Sequence, residues 1–126
     1  MRAFFFAWLV VTACKGGDPK AGRLEAAVKD PEGYARRVDE ECAAGRAASC
    51  TSVGVQTAFG TYGRSKDEKA AVPVLEKACA GGDPQGCHEL AVMIEYGRGV
   101  TRDAGRAREL HKRACDAGFS ASCNHD

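Results

Sequence analysis

The most constraining feature of this sequence is a pair of cysteines separated by seven residues, which occurs three times. The segments are CAAGRAASC (42–50), CAGGDPQGC (79–87) and CDAGFSASC (115–123). The first cysteines of successive pairs lie 37 and then 36 residues apart. A repeat of this length with two helical segments per unit is typical of an α-solenoid, in which each unit packs against its neighbours. The sequence therefore predicts an all-α fold, a short α-solenoid of antiparallel helix hairpins.

Local signals support two helices in each unit. The stretches 54–82 and 91–118 align with one inserted residue, so that Phe59-Gly60 matches Tyr96-Gly97. Asp83 before Pro84 is typical of a helix start, and Asp103 can cap the next helix. Pro73 lies inside the second helix of its unit, where we expect it to remove one hydrogen bond and to kink the helix or delay its start.

The cysteine count predicts three disulfide bonds. Of the seven cysteines, Cys14 is predicted to carry a lipid, and the other six form the three spaced pairs. The first cysteine of each pair falls in the last turn of one helix and the second in the first turn of the next, so we expect local bridges that staple the solenoid. These are Cys42 with Cys50, Cys79 with Cys87, and Cys115 with Cys123. Six cysteines permit 15 pairings, and the alternatives are buried free thiols or a metal site, although zinc knuckles usually have shorter spacing.

The first residues, MRAFFFAWLVVTAC, have the layout of an export signal. The apolar run is too short to span a bilayer, which needs about 20 helical residues. Val11-Thr12-Ala13-Cys14 resembles a bacterial lipobox, so residues 1–13 are predicted to be a lipoprotein signal peptide and Cys14 the lipidated residue. Secretion without lipid and an uncleaved start are the alternatives. The predicted location is the bacterial cell envelope, with the membrane contacted through the lipid on Cys14.

The segment GDPQGCHELAVMIEYGRGVTRDAGRARELHKRACDAG resembles a Sel1-like repeat, a tetratricopeptide-related helical hairpin, in the cysteine-rich form found in exported bacterial proteins. The resemblance covers residues 48–123. We predict a lipid anchor and tether with a possible short helix at 14–30, a degenerate first repeat at 18–45, repeats at 46–82 and 83–118, and the truncated start of a further repeat at 119–126. Part of the glycine loop, at Thr61-Tyr62-Gly63-Arg64, is lost from the first full repeat.

Charge and motifs argue against several function classes. Removing Arg2 from the 18 basic residues leaves 17, which equals the 17 acidic residues. A neutral chain is a poor candidate for nucleic-acid binding, which depends on neutralising phosphates. The sequence contains no nucleophile, zinc-protease or phosphate-loop motif. We therefore expect no catalytic residue, metal or cofactor, and the three histidines, His88, His111 and His125, are interpreted as scattered solvated or edge-packed residues.

Two classes of function remain open. Tetratricopeptide-like solenoids bind peptides or proteins, which predicts a binding or scaffold module tethered in the cell envelope, with an unknown protein or peptide partner. The possible partner-contact residues are Tyr62, Arg64, His88, Tyr96, Arg98 and Arg102. The alternative is β-lactam or muropeptide binding or hydrolysis, because the resemblance includes cysteine-rich relatives with β-lactamase-like activity.

Overall fold

A computed structural model describes residues 29–125, and these residues form five α-helices and one short 3-10 turn. Each α-helix has 13 residues. In chain order the elements are α1 (Pro31–Ala43), α2 (Ala47–Phe59), α3 (Glu68–Ala80), α4 (Pro84–Tyr96), α5 (Ala104–Asp116) and the 3-10 turn (Ser120–Ser122). The part of the chain that is described contains no β-strand.

Two kinds of helix terminus alternate along the chain: an aspartate cap at the start of α1, α3 and α5, and a left-handed glycine at the end of α2 and α4. The carboxylates of Asp30, Asp67 and Asp103 accept hydrogen bonds from backbone N–H groups in the first turns of α1, α3 and α5, at 2.8, 2.9 and 3.0 Å. Each bond satisfies a backbone donor that has no partner within the helix. Helices α2 and α4 instead end at Gly60 and Gly97, which have left-handed backbones. This alternation repeats the two-helix unit.

Each helix packs against the next along the chain, and α2 also contacts α4. Leu75 and Ile94 are among the largest fully buried side chains of the core. Gly54 lets α2 approach α3 closely, because a Cβ atom built there would lie 2.5 Å from Leu75 Cδ2. At the matching position of the next repeat, Ala91 is fully buried. Small residues thus set the distance between helices.

Three disulfide bonds cross the short connections between elements. Cys42–Cys50 joins α1 to α2, Cys79–Cys87 joins α3 to α4, and Cys115–Cys123 joins α5 to the residue after the 3-10 turn. The Cα atoms of the bridged residues are 4.6, 4.4 and 4.8 Å apart. The prediction of an all-α, disulfide-stapled solenoid is therefore confirmed.

Pro73 lies well inside α3, which begins at Glu68 and continues to Ala80. The proline therefore does not delay the helix start, because Asp67 caps the helix before it. Its ring is exposed. Since proline has no N–H group, the carbonyl one turn earlier loses its usual helical partner.

The predicted signal peptide at 1–13, Cys14 and most of the tether at 14–30 lie outside the described residues, as do the first eleven residues of the predicted repeat at 18–45. None of the helices formed by residues 29–125 is long and apolar enough to cross a membrane.

Candidate functional site

A groove with a volume of about 200 Å³ lies on the face formed by α1, α2, the loop after α2 and the start of α4. Its rim includes Tyr34 and Tyr62, and its wall includes Ser52, Val55 and Gln85. All of the lining residues are uncharged, and they offer hydroxyl and amide groups beside apolar surface. Such a surface suits a polypeptide segment better than a charged small ligand.

The loop after α2 holds Tyr62 at the groove in an unusual backbone conformation. Tyr62 has a φ of 56°, the only positive φ of a non-glycine residue in the described chain. Its ring lies 5.2 Å from the ring of Tyr34, centroid to centroid. The next residue, Gly63, also has a positive φ, of 79°. Tyr62 thus adopts a conformation that glycine tolerates best.

Arg64 fixes this loop against the first two helices. Its guanidinium donates hydrogen bonds to Gln56 Oε1 at 3.0 Å, to the carbonyl of Ala35 at 3.1 Å and to Asp39 Oδ1 at 2.8 Å. Because these hydrogen bonds join the loop to α1 and α2, Arg64 stabilises the wall of the groove. Its predicted role as a partner contact stays a prediction.

The other predicted contact residues lie around the loop after α4. Arg98 is hydrogen-bonded to Glu68, and its guanidinium carbon lies 5.0 Å from the ring centre of Phe59. Tyr96 is exposed to 68% and Phe59 to 52%. These two aromatic residues occupy matching positions at the ends of α4 and α2. Arg102 is exposed and lines a different cavity, next to the histidines.

The three histidines meet at the C-terminal end of the solenoid, so the interpretation of scattered histidines does not hold. His88 comes from α4, His111 from α5 and His125 from the segment after the last disulfide. The rings of His111 and His125 stack at 3.9 Å with an interplanar angle of 5°, and the ring of His88 lies 5.2 Å from that of His111. His111 is only 2% exposed.

Ser122 and Glu95 bond to this histidine cluster. The Ser122 hydroxyl lies 2.6 Å from His88 Nδ1 and 3.3 Å from His111 Nδ1. Glu95 Oε2 lies 3.4 Å from His111 Nε2 and 3.8 Å from His125 Nδ1. Burial lowers the pKa of His88 and of His111, and the neighbouring His125 lowers both pKa values further. These two imidazoles are therefore held in the neutral form, in which they can accept a proton or bind a metal.

Little in the sequence indicates this cluster. His88 and His111 lie on different helices, and His125 lies beyond the last helix, so only the packing of the hairpin brings them together. A weak signal existed in the repeat pattern, because α4 and α5 were predicted to be the two helices of one hairpin. No spacing of the three residues along the chain resembles a metal-ligand motif.

Residues 84–119 match the family model of the Sel1 repeat. The helical fold agrees with two solved structures. Helicobacter pylori cysteine rich protein B has a TM-score of 0.69 and 21% identity, over 86% of this chain and 97% of that chain. A Sel1 repeat protein from Oxalobacter formigenes has a TM-score of 0.71 and 26% identity, over 75% of this chain and 38% of that chain. Residues 84–119 thus form a Sel1 repeat, and the described residues share the helical-repeat fold of these two structures.

The chain is also similar to curated proteins that share one name. Mouse (Mus musculus) cytochrome c oxidase assembly factor 7 is 32% identical over 120 residues, which is 75% of this chain and 52% of the relative. The chain therefore spans about half the length of that relative. Frog, zebrafish and human proteins with the same name also match.

The predicted location is wrong. A membrane-anchored lipoprotein of the bacterial cell envelope does not agree with these relatives, which are eukaryotic assembly factors. The prediction depended on the apolar run before Cys14, on the resemblance of Val11-Thr12-Ala13-Cys14 to a lipobox and on the seventh, unpaired cysteine. The three disulfides fit an oxidising compartment of any kind.

Proposed function

We propose that this protein is a scaffold that binds an uncharged, extended segment of a client protein in the groove beside Tyr62. The groove is open to solvent and has no charged lining residue. Its hydroxyl and amide groups can bond to the backbone of a peptide, and its tyrosines can pack against apolar side chains. The left-handed conformation of Tyr62 is the observation that carries the proposal.

The energetics of Tyr62 favour a role in binding. A left-handed backbone costs a non-glycine residue roughly 1–2 kcal/mol. The contact with Tyr34 returns about 0.5–1.5 kcal/mol. Because these two contributions are of similar size, the tyrosine adds little to the stability of the fold compared with glycine. Since stability does not explain a tyrosine at this position, contact of its ring with a partner explains it better.

The relatives suggest the kind of client. Their name describes assembly of cytochrome c oxidase, so we propose that the client segment belongs to a subunit of that enzyme before its assembly is complete. An oxidising compartment would preserve the three disulfides. A stapled scaffold of this kind can hold its groove open without a bound partner.

Site-specific photocrosslinking in cells that make the oxidase tests this proposal. A photoreactive amino acid replaces Ser52 in the groove, and the matched control replaces Glu109, an exposed residue of α5. We expect the Ser52 position to yield adducts with an oxidase subunit and the Glu109 position to yield none. Tyr62→Gly should abolish the adducts while the melting temperature stays within a few degrees of the wild type.

Adducts of equal yield at both positions would contradict a groove-specific interaction. Full crosslinking by the Tyr62→Gly variant would show that the ring is not used. A Ser52 adduct with a protein outside the oxidase would contradict the proposed client, but it would still support the groove as a binding site.

The β-lactam alternative stays a prediction from the family resemblance. Ser122, His111 and Glu95 are connected in the order of a hydroxyl, a ring and a carboxylate, as in nucleophilic triads. However, Ser122 is 2% exposed and its hydroxyl is shared by two histidines. A substrate carbonyl cannot reach it in this arrangement, so we do not propose hydrolysis. Assay of the oxidised protein with a chromogenic β-lactam tests the alternative.

A further inference from the structure

We propose that His88, His111 and His125 form a binding site for a divalent transition-metal cation of the Zn²⁺ type. One ring nitrogen from each histidine lies within 4.8 Å of the other two. Three imidazoles from three separate segments thus bring one nitrogen each into the same small region. Neutral imidazole is a preferred ligand of Zn²⁺, Cu²⁺ and Ni²⁺, and three histidines are a complete protein ligand set for a zinc ion with one open position.

Metal coordination requires a local rearrangement of the cluster. In tetrahedral coordination with bonds of about 2.0–2.1 Å, the donor nitrogens lie about 3.4 Å apart. The largest separation here is 4.8 Å, so the nitrogens must approach by about 1.4 Å, and the ring of His125 must turn out of its stacked arrangement with His111. His125 can make this movement, because it is partly exposed and lies two residues after Cys123. His111 is buried in α5 and provides the fixed ligand.

The surrounding groups are those that usually support metal ligands. Glu95 Oε2 can accept a hydrogen bond from His111 Nε2 at 3.4 Å, and it lies 3.8 Å from His125 Nδ1. His111 Nδ1, on the opposite side of the ring, faces the Ser122 hydroxyl at 3.3 Å and would exchange this contact for the cation, while the carboxylate makes the imidazole a stronger donor. Ser122 fixes the ring of His88 in the same way, through Nδ1 at 2.6 Å.

The charge and the space around the cluster also fit a cation with an open position. A cavity of about 310 Å³ adjoins His111 and His125 and is lined by Glu95, Arg102 and Arg108 among others. Glu95 offsets part of the charge of the two arginines. Water or a small anion in the cavity can supply the fourth ligand, and the arginines favour an anion there.

Titration of the full-length, oxidised, EDTA-treated protein with Zn²⁺ tests the proposal, with isothermal calorimetry as the measurement. The protein is oxidised and carries Cys14→Ser, because free thiols would bind zinc themselves. We expect one Zn²⁺ per chain. His125→Ala should weaken binding at least tenfold, and Glu95→Gln should weaken it about tenfold. The matched control is Asn124→Ala, which changes a neighbouring residue of the same cavity and should bind like the wild type.

Substitution with Co²⁺ gives a second readout that does not depend on any variant. Intense visible absorption of the wild-type complex would indicate a tetrahedral site, and its loss in His88→Gln would assign the ligand. Circular dichroism shows whether each variant keeps its helices. If His125→Ala unfolds, the wild-type Co²⁺ spectrum and His88→Gln decide the question. The proposal is overturned if the wild type binds no Zn²⁺ saturably, or if folded His125→Ala and His88→Gln both bind as the wild type does.

Discussion

Arg98 donates two hydrogen bonds to one carboxylate oxygen of Glu68, at 2.9 Å from Nε and at 2.7 Å from Nη2. Arg98 belongs to the loop after α4, and Glu68 belongs to the first turn of α3. The contact therefore joins one repeat to the previous one. The backbone supports it, because a Cβ atom at the adjacent Gly99 would lie 2.3 Å from the Glu68 carbonyl oxygen.

This ion pair predicts the behaviour of the Glu68 carboxyl. The hydrogen bonds from Arg98 are the largest cause that holds the pKa of Glu68 below its usual 4.5, and the charges of Arg98 and Lys66 add to it. We expect Arg98→Gln to raise the pKa of Glu68 towards 4.5, as measured by NMR titration of the side-chain carboxyl carbon. Arg106→Gln, which removes the exposed pair with Glu76, is the control and should leave the pKa of Glu68 unchanged.

The sign of the linked effect on stability follows from that pKa. A carboxyl with a lowered pKa in the folded state adds stability above the unfolded pKa, and this stability is lost as the pH falls through the folded pKa. The wild type should therefore lose more stability than Arg98→Gln between neutral pH and strongly acidic pH. An equal loss in both proteins would show that the pair does not contribute.

The repeat period allowed the fold to be predicted, because the cysteine spacing and the aspartate caps are local signals. Each cap needs only the residue before the helix, and each bridge needs only a short connection between consecutive elements. The groove was partly predictable. The sequence showed that the loop at Tyr62 had lost a glycine, but its left-handed backbone and its contact with Tyr34 depend on α1 and α2 together.

The histidine cluster could not be predicted in this way. His88 and His125 are 37 positions apart in the chain, and their contact depends on the crossing of α4 and α5 and on the path after Cys123. Long-range contacts of this kind leave no pattern in spacing or composition. The same is true of Arg64, whose acceptors are on two helices.

Close packing at Gly54 predicts a destabilising substitution. Gly54→Ala would place a methyl group 2.5 Å from Leu75 Cδ2 and 2.6 Å from its Cγ. We expect the free energy of unfolding to fall by about 1–3 kcal/mol, as measured by urea denaturation of the oxidised protein. The control is Gly105→Ala in α5, where the nearest atom lies 3.5 Å away. That change should leave stability unchanged or raise it by up to about 1 kcal/mol. Equal effects of the two changes would contradict the packing account.

Pro73 predicts a stabilising substitution. Its ring is exposed, so Pro73→Ala removes no buried contact, and it restores a backbone donor inside α3. The helix should gain about 3 kcal/mol, and the greater freedom of the unfolded chain should offset about 1 kcal/mol of this. We expect the free energy of unfolding to rise by about 1–2 kcal/mol, measured by thermal and chemical denaturation. A clear loss of stability would mean that the rigid proline favours folding more than the lost hydrogen bond opposes it.

The middle disulfide is expected to contribute most to stability. In the chain-entropy model a loop of about nine residues gives roughly 2.6 kcal/mol for each bridge. Cys79 and Cys87 are 3% and 2% exposed, and both belong to the main hydrophobic core. Cys123 is exposed. Cys79→Ser with Cys87→Ser should therefore lower the melting temperature more than Cys115→Ser with Cys123→Ser, because it also buries two hydroxyl groups among apolar side chains. The opposite order would remove the support for this ranking.

The buried histidines predict that the metal-free protein loses stability in mildly acidic solution. Burial lowers the pKa of His88 and His111 below 6.5, and the charge of His125 lowers both further, while Glu95 opposes the shift in each case and Glu89 opposes it at His88. Below pH 6.5 the unfolded chain therefore binds protons that the folded chain does not bind. The sign of the linkage is then positive: stability rises with pH up to about 6.5 and is constant above it.

Urea denaturation of the EDTA-treated, oxidised protein between pH 5 and 7 measures this dependence. We expect the denaturation midpoint to fall steadily as the pH decreases below about 6.5. His125→Gln should show a weaker fall, because removing the charge of His125 lets His88 and His111 accept protons more easily in the folded state. Lys112→Gln, which changes an exposed residue one position after His111 in α5, is the control and should keep the wild-type profile. A midpoint that is independent of pH in this range would show that neither His88 nor His111 is held in its neutral form by the fold.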